Sequence, residues 1–155
     1  MVTNEDFQNL KCQATGALSH TVTIVTTVDG GAVVTTIRVL PTDTMSEAIR
    51  SFLGASLNVT QVETWGSIEP DGGRAGTVSV DIAGAPVRFR GTASLRAVAK
   101  DASAGAAAGT VETVDGELKA SVPFIGSSVE KAAAPAISSA IKVEQECGTA
   151  WLSGR

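Results

Sequence analysis

Two carboxylates occupy positions where a folded chain has reason not to place charge. Glu63 alternates with Leu57, Val59, Gln61 and Trp65 along one face of a candidate strand, and Glu144 projects between Ile137, Ala140 and Cys147 on an apolar helical stripe. A carboxylate moved from water onto an apolar face needs a cation, hydrogen-bond donors or water beside it, and otherwise neutralises. Either group is a candidate general base if the fold brings a substrate within reach. Two readings of Glu144 are open: its side chain reaches the helix edge and water, or it lines a cavity with its pKa raised.

Other chemistry-bearing residues are sparse. The chain has one histidine and no tyrosine, and it shows neither a phosphate-cradling glycine loop nor metal-ligand spacing. No catalytic residue, metal site or cofactor is therefore assigned. His20 opens a threonine-rich strand without a recognisable orienting partner and reads as structural or surface rather than catalytic. Cys12 and Cys147 lie far apart without paired spacing and read as buried thiols. Arg88, Arg90 and Arg96 alternate along the outward side of one strand, within reach of Asp115 and Glu117 on the next. That pattern describes a solvated, salt-paired face rather than an anion site. A net charge of -4 weighs against nucleic acid as a partner. No apolar run approaches the ~20 residues of a membrane span. Met1 to Leu10 lacks the basic and apolar regions of a secretory signal, which makes the cytoplasm the default location.

The elements that must position these groups are legible from period and punctuation. At 155 residues the chain suits one domain with one core, spanning 1–155. A helix over 3–12 carries Phe7 and Leu10 on one side, with Gly16 as its stop. A strand over 20–28 follows, and a two-residue turn at Gly30 and Gly31 would pair Val28 with Val33, Ile24 with Ile37 and Val22 with Val39 on one inward face. After Pro41, Thr44 and Glu47 form a capping box for a short helix with the stripe Met45, Ala48, Ile49, Phe52 and Leu53, closed by Gly54.

From Leu57 the strands run as a meander. The Trp65 face of the first turns inward with a plain turn at Pro70 and Asp71, and outward with a glycine bulge at Gly72. Inward is favoured, because that face holds three large apolar groups against one, although Gln61 and Glu63 then become interior. Val78, Val80 and Ile82 face inward on the next strand, then Val87, Phe89, Ala93, Leu95 and Ala97. Pairing Ile82 with Val87 sets Asp81 opposite Arg88. The last strand turns Val114, Leu118, Ala120 and Val122 inward. A long helix then begins after Gly126 with a Ser127–Glu130 capping box, gathers Val129, Ala133, Ala136, Ile137, Ala140, Val143, Cys147 and Trp151 on one face, and is kinked at Pro135. The class is α+β.

Side-chain size gives the functional hint. Aromatic residues are only 4% of the chain, and the helix face that should meet the sheet is mostly alanine, which permits either close packing or an unfilled space. Polar groups on otherwise apolar faces favour the space: Thr26 and Thr35 in the first hairpin, Gln61, Glu63, and Glu144. An apolar cavity with a few convergent polar groups is the usual form of a small-molecule site. Its candidate lining adds Trp65, Phe89 and Leu95 from the strands and Ile137, Ala140 and Trp151 from the helix.

At Glu63-Thr64-Trp65, Gly76-Thr77-Val78-Ser79-Val80, Gly84-Ala85-Pro86-Val87 and Val122-Pro123-Phe124-Ile125-Gly126, the chain resembles an uncharacterised actinobacterial family within the START-like, polyketide-cyclase-like (SRPBCC) superfamily. The resemblance covers the last two-thirds well and the first third loosely. It implies a helix-grip fold, a curved antiparallel sheet wrapped around the C-terminal helix. It also implies a hydrophobic small molecule, lipid-like or polyketide-like, held between the two. That fold normally opens with a strand before its first helix, and here Met1 stands where that helix should already have begun; either the start lies internal to a longer chain or the first strand is lacking, which would leave sheet edges unpaired and open to a homodimer. The leading expectation is a non-catalytic binding or carrier protein. An enzyme of cyclase or hydrolase type using a cavity carboxylate, and a protein–protein interaction module, are the alternatives.

Overall fold

Strands of alternating pattern joined by short turns pair in chain order, and the computed structural model has that form. Six antiparallel strands lie in sequence: β1 (Ser19–Thr26), β2 (Ala32–Pro41), β3 (Ser56–Trp65), β4 (Arg74–Ile82), β5 (Val87–Val98) and β6 (Gly109–Ala120). Helix α1 (Glu5–Ala14) precedes the sheet and helix α2 (Gly126–Ser153) follows it. The structure describes residues 1–43, 47, 50–51, 54–99, 109–121 and 126–154. The stripe at Met45, Ala48, Ile49, Phe52 and Leu53, Val122 on the last strand, and the side chain of Ala136 lie outside them. Among the described residues no helix is long and apolar enough to cross a membrane, and β1 and β6 form the two sheet edges.

Asn4 caps α1, its side-chain oxygen accepting the Phe7 N–H at 3.0 Å, with Glu5 and Asp6 placed favourably in the first turn. The helix lies against β1, β2 and α2. It consequently buries the wider stripe Phe7, Gln8, Lys11 and Cys12, and Leu10, expected beside Phe7, is 38% exposed.

The first hairpin differs from expectation, and the difference reaches the site. Its turn spans 27–30, with Gly30 N–H donating to the Thr27 carbonyl and Gly30 at φ 81°. Asp29 fixes this turn by accepting from the Thr27 hydroxyl and the Gly31 N–H. Gly31 serves close approach instead, since a Cβ there would stand 2.5 Å from the Trp65 carbonyl oxygen. Ile24 therefore pairs with Val34 and Val22 with Thr36, three residues from the expected register. An odd shift exchanges the faces. Ala32, Val34, Thr36 and Arg38 are buried, whereas Ile37 is 45% exposed and Val33, Thr35 and Val39 are half-buried on the outer side.

On β3 the Trp65 face points inward, burying Leu57, Val59, Glu63 and Trp65. Both turn features considered for this hairpin coexist. Gly72 has φ 80° and Glu69 N–H donates to the Gly73 carbonyl, which makes the bulge. Trp65 nonetheless pairs with Gly76, the register of the plain turn, because Ser67 and Ile68 absorb the extra residue. Asp81 stands opposite Arg88 as expected. The arginine stripe is neutralised from another side, however: Asp81 takes Arg90 at 2.7 Å, Arg96 reaches Glu69 and Asp71, and Glu117 pairs with Lys119. Glu130 likewise accepts the Ala120 N–H at 2.9 Å and ties the start of α2 to the end of β6 rather than closing a capping box.

Candidate functional site

Strand pairing sets the inner face, the one that carries both helices, as rows across the sheet. One row reads Val34, Glu63, Val78, Gly91 and Gly116; the next reads Thr36, Gln61, Val80, Phe89 and Leu118. The polar members of these rows, Glu63, Thr36 and Gln61, lie on β2 and β3, and the rows are apolar or bare toward β5 and β6.

The polar end is a hydrogen-bonded chain of charges. Lys11 of α1 donates to Glu63 at 3.2 Å and to Glu144 of α2 at 2.8 Å, so one ammonium joins both helices to the sheet. Glu63 also accepts from Gln61 at 2.6 Å and from the Trp65 indole at 2.9 Å, and Gln61 in turn accepts from Arg38 at 2.6 Å. These bonds satisfy the interior Glu63 and supply the partner that an apolar-face Glu144 requires. Burial works against charge on Lys11, which is 3% exposed, but Glu63 and Glu144 outweigh it and hold the ammonium well above the ordinary lysine range. Glu112 enters the same neighbourhood from β6, opposite Leu95. Burial pushes its pKa up to about 7, the charges of Glu144 and Glu63 add to the rise, and Lys11 opposes it. Burial also raises the Cys12 thiol.

The apolar end is less covered. Val80, Phe89 and Leu118 are half-buried and Val114 is 38% exposed. Gly91 faces Gly116 with no side chain between them, and the Phe89 ring occupies the space over Gly116. On α2, Ile137, Val143 and Cys147 are half-buried.

The residues expected to line a ligand thus divide. Gln61, Glu63, Trp65 and Glu144 come together in the charged network, and Phe89 and Leu95 lie on the inner face of β5. Thr26 is exposed at the end of β1, opposite Ala32. Thr35 stands on the outer face, opposite Thr23, as the corrected register requires. Ile137 is half-buried but Ala140 is exposed. Trp151 packs edge-on against Phe7 at the seam of the helices, with ring centroids 5.7 Å apart. Among the described residues, one surface groove of about 300 Å³ is lined by Arg88, Arg90, Glu117 and Lys119, and another of about 400 Å³ by Leu10, Ala150, Trp151 and Gly154. Only Trp151 of the expected lining borders either.

Lys11, Thr36, Arg38 and Glu112 are additional members that sequence reasoning missed. Glu112 was within reach, because it continues the inward parity of Val114 and Leu118 by one step. Arg38 and Thr36 followed from the hairpin register. His20, in the Arg38 row, meets Asn9 of α1 at 3.1 Å. Cys12 and Cys147 are free thiols. Among the described residues no group of three or more His, Cys, Asp or Glu side chains is arranged to hold a metal.

The model of a family described as a protein of unknown function (DUF2505) matches residues 1–152, and the chain belongs to that family. An uncharacterized protein of Mycobacterium tuberculosis and another of Mycobacterium bovis are each 25% identical to it over 125 residues, covering 81% of this chain and 68% of theirs. No solved structure matches the chain.

Proposed function

We propose that this DUF2505 member is a START-like, helix-grip binding or carrier protein of the cytoplasm that holds a hydrophobic small molecule, lipid-like or polyketide-like, between its sheet and α2 without transforming it. The supporting observation is the strip Val80, Phe89, Leu118 and Val114, apolar and inward-facing yet only partly covered. Contiguous apolar surface left open to water marks a binding surface more often than a packing fault. Native mass spectrometry of protein purified from its source tests the proposal, with a copurified lipid-like species expected. Protein that carries nothing and takes up no acyl or polyketide probe would contradict it.

One observation favours a second reading, an enzyme of cyclase or hydrolase type. A carboxyl poised near pH 7, as Glu112 is, suits general acid–base work beside a bound substrate. The open edges at β1 and β6 also suit a homodimer, which light scattering of the purified chain would reveal as twice the monomer mass.

A further inference from the structure

The polar end of the inner face contains donors that its own network does not use. Arg38 is 8% exposed and Thr36 is 1% exposed, and they are successive inward residues of β2. Arg38 gives one Nη to Gln61, but its buried Nε–H has no hydrogen-bond partner among the described residues, and neither has the buried Thr36 hydroxyl. No carboxylate among those residues forms an ion pair with Arg38, whereas Lys11 has two. A guanidinium is charged at any physiological pH, and a buried donor without an acceptor is costly. Thr36 stands at the buried end of one row across the sheet, in which Thr36 pairs with Gln61, Gln61 with Val80, Val80 with Phe89 and Phe89 with Leu118, and Arg38 lies beside it in the adjoining row, opposite Val59. Cover falls along that row, from buried Thr36 to half-buried Gln61 and the half-buried apolar residues beyond.

We infer that Arg38 and Thr36 form the head-group subsite of the binding cleft, and that its ligand is an amphiphile with a terminal anionic oxygen group, a carboxylate or phosphate, whose apolar body lies along Val80, Phe89 and Leu118. This inference rests on the hydrophobic-ligand reading above and specifies the chemistry of the ligand head. An anionic oxygen would accept from the Arg38 Nε–H and from the Thr36 hydroxyl, satisfying both buried groups with charge-assisted bonds. Glu63 does not displace such a head, since the Lys11 ammonium is bound to it and the Gln61 amide stands between it and Arg38.

Displacement of Nile red, a neutral dye, from the full chain at pH 8 by dodecanoate, dodecyl phosphate, dodecanol and dodecylamine tests the assignment. Each ligand is used below its micellar concentration. Dodecanoate or dodecyl phosphate should bind at least about tenfold more tightly than dodecanol, and comparison of the two identifies which anion the subsite prefers. Arg38→Met should bring the affinity for the anion down to that for dodecanol, so that the ratio between the two falls from at least about tenfold to about one. Thr36→Val, a near-isosteric change that keeps the strand, should cut the ratio of anion to dodecanol affinity by a few-fold; it preserves the test if Arg38→Met does not fold. Equal binding of anions and alcohol would overturn the subsite and leave the hydrophobic-ligand reading standing. Preference for the amine would overturn it in favour of a head at Glu112. Displacement by none of the four would overturn the subsite and the reading beneath it together.

Discussion

The two halves of the sheet's inner face reverse the usual relation between polarity and cover. Under α1, strands β1 to β3 bury Lys11, Thr36, Arg38 and Glu63. Toward α2, strands β4 to β6 leave Val80, Phe89, Leu118 and Val114 partly in water. The covered half is tolerable only because its charges are matched to one another with hydrogen-bond geometry, which makes it rigid and intolerant of single removals. The open half has no such matching: Val78, Val87 and Ala93 are buried there, but the partly covered residues around them contribute less to stability and remain available to something else. Stability and function are therefore expected to separate along the boundary between β3 and β4.

The sharpest attempt to break that contrast is Lys11→Met. It strands the Glu63 and Glu144 carboxylates, and removing one partner of a buried ion pair costs about 3–5 kcal/mol. Urea denaturation at pH 7 should show a loss of that order. Because the Lys11 pKa is raised on folding, its contribution is complete below the unfolded-lysine value of 10.5 and is lost only as pH rises through the higher folded value. A loss under about 1 kcal/mol would mean the network is not what holds the helices to the sheet.

Glu112, on β6 but within the field of Glu63, Glu144 and Lys11, gives the next effect. Its carboxyl titrates at about 7 folded against 4.5 unfolded, so the folded state holds more protons in that window and stability declines as pH rises through it. The decline is on the order of 1–3 kcal/mol. Glu112→Gln should flatten the stability profile between those limits and leave the protein more stable than wild type at pH 8; an unchanged profile would remove Glu112 from the interior. Smaller again is Phe89→Ala, for which about 1–2 kcal/mol is expected, below the ~3–5 kcal/mol of a fully buried aromatic, because the residue is only partly buried. A full core-sized loss would place Phe89 in the packed half. Smallest is Arg90→Ala, whose pair with Asp81 is about half exposed on both sides and should be worth under about 0.5 kcal/mol by thermal denaturation.

Sequence reasoning reached these halves unevenly, for identifiable reasons. Alternation in β4 and β5 and the short connection between them gave the Asp81–Arg88 pairing directly, since a four-residue link leaves few registers. Glu63 was legible as an interior charge, and so was its need for a partner, but Lys11 could not be named because it comes from 52 residues earlier in the chain. Arg38 and Thr36 were hidden by a turn. Adjacent glycines at 30 and 31 look like the turn itself, whereas one supplies the positive φ and the other makes room for the Trp65 backbone. A single such decision reverses every residue of β2 between the faces. Similarly, the extent to which α2 covers β4 to β6 depends on long-range packing, which helical period cannot specify.

Methyl-resolved NMR during titration with dodecanoate tests the open half as a ligand site most directly. A site between β4–β6 and α2 predicts saturable shifts at Val80, Val114, Leu118 and Ile137, with Val25 and Ile37 on the outer face unmoved. Shifts confined to the outer face or to the groove at Leu10 and Ala150, or no saturable shift at all, would contradict it.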